Sequence, residues 1–213
     1  MSQMRPEPDI AQRWDARYAA AGPDGPFGQA PNAYLRMCLG RSEIAPASAL
    51  MLADGDGRNG RWLAGRGLAV TAVDISSEGT AQARARDAGA GVAVERLVAD
   101  LAHWAPEPGP GWDLAGLFYL QGPRALRLSA LALAADALAR GGWLIAEGFA
   151  TDQAPGAMGP TDPDKLYDLA EVTGVATAAG LELHEAMAGR VRLDEGACHQ
   201  GLAQVIRLLA RRG

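Results

Sequence analysis

Two aspartates and a run of glycines stand at spacings that can build a ligand site in this chain. Leu50-Met51-Leu52 leads into Ala53-Asp54-Gly55-Asp56-Gly57-Arg58-Asn59-Gly60. Trp62-Leu63 follow, and a second apolar run, Val70 to Val73, ends on Asp74. The order reads as strand, glycine loop, helix, strand, acid. Glycines at such a loop let backbone N–H groups approach a ligand, and a carboxylate ending the next strand can hold two ribose hydroxyls. Asp74 lies 17 residues beyond Gly57, close to the roughly 20 expected between such a loop and its ribose acid. The implied ligand is a nucleoside-bearing cofactor. Gly55, Gly57 and Gly60 also spell Gly-x-Gly-x-x-Gly, which keeps a nicotinamide or flavin oxidoreductase as an alternative. Two residues separate Leu52 from Gly55, however, and no Tyr-x-x-x-Lys pair is present.

The scaffold around these residues is legible from periodicity. With 213 residues, 48% hydrophobic and 21% charged, the chain has bulk for one domain with a sizeable core. Short apolar runs alternate with helical stretches, the pattern of a parallel sheet covered on both faces. A helix over Ile10 to Ala20 carries Trp14 and Tyr18 on one face and is broken by Gly22-Pro23-Asp24-Gly25-Pro26. A second helix is expected over Asn32 to Leu39. After Asp74, Ser76 or Ser77 caps a helix running to Asp87, with Gly89 and Gly91 at its end. Further strands are expected at Val92 to Leu97, Asp113 to Tyr119 and Trp143 to Glu147. A helix after Pro123, with Leu128, Leu131, Ala135 and Leu138 on one face, is expected to stop at Gly141-Gly142. Beyond the loop Ala154 to Pro160, Asp162-Pro163 opens a helix carrying Leu166, Tyr167, Leu169 and Ala170. Leu181 to Val191 and Gly201 to Ala210 are too close in sequence for a parallel crossover, so they form an antiparallel hairpin.

Charge narrows the partner. A net charge of −5 disfavours nucleic acid or an anionic membrane, which need clustered Lys and Arg. A small-molecule partner in the cytoplasm is the expectation, with no metal site. Cys38 and Cys198 lack a metal-ligand spacing and make no disulfide framework, which leaves one isolated bridge open.

Taken together, several segments resemble the class I S-adenosylmethionine-dependent methyltransferases, nearest to small bacterial tellurite and thiopurine methyltransferase-like proteins. They are Trp14 to Tyr18, Phe27-Gly28 with Pro31-Asn32, Gly55 to Asn59, Val70 to Asp74, Asp100-Leu101, Glu147 to Phe149, Gly159 to Asp164, and Glu195-Gly196 with His199 and Gly201. The resemblance implies a Rossmann-like three-layer α/β sandwich whose mixed seven-stranded sheet has the order 3-2-1-4-5-7-6, the last strand antiparallel. It also implies a helical cap over 1–40, a cofactor core over 45–150 and a substrate-side loop, helix and hairpin over 151–213. The cofactor would be S-adenosylmethionine, leaving as S-adenosylhomocysteine. Ala53, Asp54, Gly55, Gly57 and Asn59 would line its methionine and ribose, with Asp74 on the ribose hydroxyls and Ile75 beside the adenine. Asp100 would accept from the adenine amino group, Leu101 would pack on the ring, and Tyr119 and Gln121 would border the sulfonium. The chain departs from the family at Met51, where relatives carry an acid, at Ala53, where they carry glycine, and at Gln121, where they often carry His.

Methyl transfer to a small acceptor needs in-line positioning and exclusion of water more than a nucleophile. A base is needed only for an acceptor that keeps its proton. His199 and Glu147 are the candidates, then Tyr119, Tyr167 and Gln153. Trp14, Tyr18, Phe27, Phe149 and Tyr167 are expected around the acceptor, although Trp14 and Tyr18 read equally well as core anchors. His199 also reads as a hydrogen-bonded turn residue. His103 and His184 read as structural or exposed, and Arg207, Arg211 and Arg212 as a solvated strand end. A third reading is a cofactor-binding regulator without catalysis.

Overall fold

A computed structural model describes residues 9–22, 24–153 and 156–213; Pro23, Ala154 and Pro155 of the two expected breaker loops lie outside the described residues, as do 1–8 of the cap. The chain runs α1 (Ile10–Ala19), α2 (Ala33–Cys38), β1 (Ser48–Leu52), α3 (Arg58–Ala64), β2 (Ala69–Asp74) and α4 (Ser77–Ala90). It continues with β3 (Glu95–Val98), β4 (Trp112–Phe118), α5 (Arg124–Asp136), β5 (Leu138–Phe149), α6 (Leu169–Ala178), β6 (Leu181–Asp194) and β7 (Gln200–Arg212). The sheet order is β3-β2-β1-β4-β5-β7-β6. β1 through β5 pair in parallel, and β7 runs antiparallel to both β5 and β6.

Alternation along the strands produces the three layers. Leu50 and Leu52 of β1 pack with Ala130, Leu131, Ala134 and Ala135 of α5 and Val172 and Ala176 of α6 on one face. Ala49 and Met51 point the other way, into Tyr34, Leu35 and Cys38 of α2 and Leu63 of α3. The central strands are buried on both faces, hence their unbroken apolar runs. β6, at the edge, is mostly exposed and carries charged residues along its length, which discourages pairing with another chain.

Several element boundaries differ from expectation. α5 ends at Asp136, and Leu138 already belongs to β5, so Gly141-Gly142 lie inside that strand and do not stop the helix. Gly142 serves a close approach: a Cβ there would meet the Trp112 carbonyl oxygen at 2.7 Å. β3 begins at Glu95 instead of Val92, because the Val92 N–H still closes α4 by donating to the Asp87 carbonyl. Asp162-Pro163 opens only a 3-10 turn over Pro163–Lys165, and α6 starts later, where Asp168 accepts from the Glu171 N–H. Between them Tyr167 bridges to Ala150 beside β5. The terminal strands extend to Asp194 and from Gln200, leaving a turn over Glu195 to His199. No described helix is long and apolar enough to cross a membrane. Both cysteines are free, Cys38 buried and Cys198 exposed.

Candidate functional site

β1 and β4 are neighbours whose helices leave toward opposite faces of the sheet, so a crevice opens at their carboxyl ends. Among the described residues, the two non-glycines with positive φ are Ala53 (54°) and Tyr119 (54°), each directly after one of these strands. Left-handed backbone costs an L residue about 1–2 kcal/mol, and such strain gathers at functional sites. The cleft between them measures about 800 Å³, open mouth included.

The glycine loop forms one wall. Ala53, Asp54, Gly55, Asp56, Arg58 and Asn59 border the cleft. Gly55 is left-handed (φ +57°), and a Cβ there would lie 2.1 Å from the Tyr18 hydroxyl oxygen. The loop therefore has no room for a side chain at this point. Gly57 does not border the cleft, contrary to expectation: its missing Cβ leaves space for Ala83 and the Arg96 guanidinium. Arg96 donates to Asp87 (2.5 and 3.1 Å), to Asp54 Oδ2 (3.0 Å) and to the Gly57 carbonyl (3.3 Å). Asp54 also accepts from the Gly60 N–H at 3.2 Å, tying the first turn of α3 to the loop. This clamp organises the loop without an acid at position 51, where Met51 is buried against Gly116.

Asp74 closes β2 beneath the loop. Its Oδ2 accepts from the Gly55 N–H (2.7 Å) and its Oδ1 from the Ser76 N–H (2.8 Å), and no cation pairs with it among the described residues. Burial, with Asp54 and Asp56 nearby, pushes its carboxyl up to about 6 against those two bonds. Each oxygen retains acceptor capacity, and Asp74 borders the cleft. Ile75, Asp100 and Leu101 border the same end, Asp100 using Oδ1 to accept from the Ala102 N–H. Gln121 borders the opposite end.

That opposite end is aromatic. Trp14, Phe27, Tyr119, Leu126 and His199 border it, and Phe149, Met158, Arg17 and Cys198 continue into an adjoining hollow that His199 and Gln121 share. Trp14 and Tyr18 do both things at once: Tyr18 is buried, its ring stacked on Trp14, and both face the cleft. Tyr167 is not at the cleft. Its hydroxyl donates to the Leu120 carbonyl and its ring lies under Arg127 in the core. Gln153 clamps the Ala150 and Gln204 carbonyls. His103 is exposed, and His184 packs edge-on against Trp143.

Glu147 is also removed from the base role. Oε1 accepts from Asn32 Nδ2 (2.7 Å) and the Tyr119 hydroxyl (2.9 Å), Oε2 from Arg207 Nε (2.6 Å). It is buried, ion-paired and outside the cleft. The same bonds correct two further expectations: Tyr119 spends its proton on Glu147 and offers the site its ring, and Arg207 is no solvated strand end. Arg211 is exposed at the strand end, where it donates to the Gly141 carbonyl, and the half-buried Arg212 donates to the Ala135 carbonyl.

Three residues without an assigned role hold the roof. Asn32 caps α2 by accepting from the Leu35 N–H, and its own N–H donates to Asn59 Oδ1 (2.8 Å). Arg58 donates to the Phe27 and Ala30 carbonyls and to Glu195 Oε2 (2.7 Å). Glu195 Oε1 accepts from the Ala33 N–H and Asn32 Nδ2. Burial works against its ionisation, yet His199, the Arg58 charge and the Ala33 N–H hold the carboxyl down to about 2. An Asn before a helix signals a cap; nothing in the order of residues signals that it joins three segments.

A family model described as a methyltransferase domain matches residues 49–142. No curated protein matches the chain. Solved structures share the fold. A protein studied in the conversion of a disulfide bond into a thioacetal group during echinomycin biosynthesis is similar at a TM-score of 0.69 and 20% identity, over 96% of this chain and 92% of that one. TehB from Haemophilus influenzae is similar at 0.66 and 17%, over 80% and 59%. Magnesium protoporphyrin IX methyltransferase from Synechocystis, solved with bound S-adenosylmethionine, is similar at 0.59 and 16%, over 84% and 76%.

Proposed function

We propose, from the match of residues 49–142 to a methyltransferase domain, that this chain transfers a methyl group from S-adenosylmethionine to a small-molecule acceptor in the cytoplasm. The observation that carries the reading is Asp74: a buried carboxylate without a cation, bonded to a glycine loop and facing a cleft. A ribose diol supplies the two O–H donors its free lone pairs lack. Charge supports the same ligand. Asp54, Asp56 and Arg58 at the cleft are ion-paired with Arg96, Arg86 and Glu195, whereas Asp74 and Asp100 border it with no ion-pair partner among the described residues, which favours a sulfonium compound. A dinucleotide pyrophosphate would meet Asp54 already seated on the first turn of α3, and that disfavours the oxidoreductase alternative.

In this reading Asp74 holds the ribose, Asp100 the adenine amino group, and Ile75 and Leu101 the faces of the base. Ala53, Asp54, Gly55 and Asn59 follow the ribose and methionine, while Gln121 and the Tyr119 ring border the sulfonium. Gly57 acts through Arg96. When bound, the cofactor supplies an electrophilic methyl group. Trp14, Tyr18, Phe27 and Phe149 exclude water and orient the acceptor, which supplies much of the acceleration in such a displacement.

Calorimetric titration with S-adenosylmethionine, S-adenosylhomocysteine and NAD tests this. Binding of the two adenosyl compounds, weakened by Asp74→Asn, is expected. Binding of NAD alone overturns the reading, and adenosyl binding indifferent to Asp74→Asn overturns the site.

A further inference from the structure

His199 is a buried basic group in the aromatic end. It is 2% exposed, and among the described residues neither ring nitrogen has a hydrogen-bond partner. Leaving a buried polar atom unpaired costs about 1–3 kcal/mol, and such an orphan in a native site calls for a reason. The ring is fixed on three sides, 4.5 Å from Tyr119, 4.7 Å from Phe27 and 5.5 Å from Phe149 between centroids. It borders both the main cleft and the adjoining hollow.

Its neighbours decide the tautomer. Nδ1 lies 3.7 Å from Glu195 Oε2, beyond a hydrogen bond but close enough for an ionised carboxylate to favour the proton on Nδ1. Nε2 then carries the lone pair. The charged and titratable groups around the ring are Glu195 on the hairpin, Arg58 on α3, Arg17 on α1, and Tyr119 with Glu147 behind it. Burial lowers the imidazole below its usual range; Glu195 opposes this, and Arg58 and Arg17 add to it. The ring is therefore neutral near pH 7, as a base must be.

We propose that His199 is the general base of this site, with Glu195 as its positioning residue, and that the acceptor is an aryl hydroxyl or aryl thiol. The flat apolar walls of Trp14, Phe27, Tyr119 and Phe149 suit an aryl body, and the Nε2 lone pair set among them suits an acidic X–H. The proposal rests on the methyl-transfer reading above. The acceptor's X–H pair forms the new X–C bond, the C–S bond breaks with its electrons remaining on the donor sulfur, and the proton passes to Nε2. Imidazolium beside Glu195 then releases it to solvent.

The test uses the full chain with S-adenosylhomocysteine and long-range 1H–15N NMR of the histidines, with phenol and thiophenol as probes and anisole as the aprotic control. His199 is expected neutral with its proton on Nδ1, its Nε2 signal moved by phenol and not by anisole, and Glu195→Gln is expected to shift the tautomer toward Nε2–H. With saturating S-adenosylmethionine, methylation should rise with pH through an inflection below the unperturbed imidazole value of about 6.5 and be level above it. His199→Gln should lower phenol methylation about 10²-fold or more, and thiophenol methylation less, since that acceptor ionises more readily. An Nε2–H or charged ring, equal response to anisole, unchanged turnover in His199→Gln, or no methylation of either probe by a chain that binds S-adenosylhomocysteine overturns the proposal. Failure to bind S-adenosylhomocysteine overturns the methyl-transfer reading instead.

Discussion

Asp74→Asn is expected to make the free protein more stable while weakening its hold on cofactor. Burial raises the Asp74 carboxyl from 3.8 to about 6. At 1.36 kcal/mol per tenfold change, keeping it ionised near neutrality destabilises the native state by about 3 kcal/mol. Asparagine removes that charge but turns an amide NH2 toward either the Gly55 or the Ser76 N–H, a loss of about 1 kcal/mol. The net gain is about 2 kcal/mol at pH 7.5, or about 1 M in the urea midpoint for a slope near 2 kcal/mol/M. The sign follows from linkage. A carboxyl whose folded value lies above its unfolded one binds extra protons in the native state, so the wild type gives up stability as pH rises from about 4 to 6 and no more above that. The variant's advantage should therefore vanish toward pH 4 and be complete by about pH 7. Calorimetry should show S-adenosylhomocysteine binding about tenfold or more weaker in the variant, as for lost hydrogen bonds to a charged group. Wild-type affinity should fall about tenfold between pH 7.5 and 5 as Asp74 protonates. A variant no more stable than wild type at pH 7.5, or an advantage that does not shrink in acid, refutes the reasoning.

Arg96→Met strands the buried carboxylates of Asp54 and Asp87 and should cost about 3–5 kcal/mol in urea unfolding, most of it recovered when both aspartates are also changed to Asn. Gly55→Ala drives a Cβ against the Tyr18 hydroxyl at a left-handed position; a loss of about 1–3 kcal/mol and weaker S-adenosylhomocysteine binding are expected by thermal melts and calorimetry, with partial relief from Tyr18→Phe. Gly196→Ala places a Cβ 2.2 Å from the Gly28 backbone nitrogen, which cannot swing aside. Methyl transfer to phenol should fall further than cofactor affinity, because the Glu195 to His199 turn shifts and the glycine loop does not. Tyr119→Phe removes one of three bonds on Glu147 and should cost about 1 kcal/mol with turnover changed only a few-fold; loss of turnover would return the Tyr119 hydroxyl to catalysis.

The sheet and its cofactor end were legible because local rules govern them. Apolar runs of strand length, Ser76 at a helix start and a hairpin too short for a crossover each depend on neighbours in sequence, and they carry the elements, while the strand order came with the family resemblance. Asp74 follows directly from where a strand stops, whereas Asp100 and Leu101 were marked by the family resemblance. Boundaries failed where tertiary packing overrode a local signal. Gly141-Gly142 look like a helix stop, yet they lie in β5 because the Trp112 carbonyl needs the space. Asp162-Pro163 look like a helix start, yet Tyr167 is drawn into the core beside Ala150.

The acceptor end shows the other half of the division. Sequence alone identified His199 and Glu147 as chemically capable groups, because residue type carries basicity, but it ranked them together. Burial and bonding separate them: Glu147 is enclosed by Asn32, Tyr119 and Arg207, whereas both His199 nitrogens are without hydrogen-bond partners among the described residues. Asn32 and Glu195 lie 163 residues apart and meet in one network, and a contact between positions so distant leaves no periodicity to read. What sequence pointed to, through the order of strand, loop and acid, was a nucleoside-bearing cofactor, which the family resemblance narrowed to S-adenosylmethionine. Which side chain keeps a free lone pair depends on what surrounds it in three dimensions, and that only the tertiary structure decided.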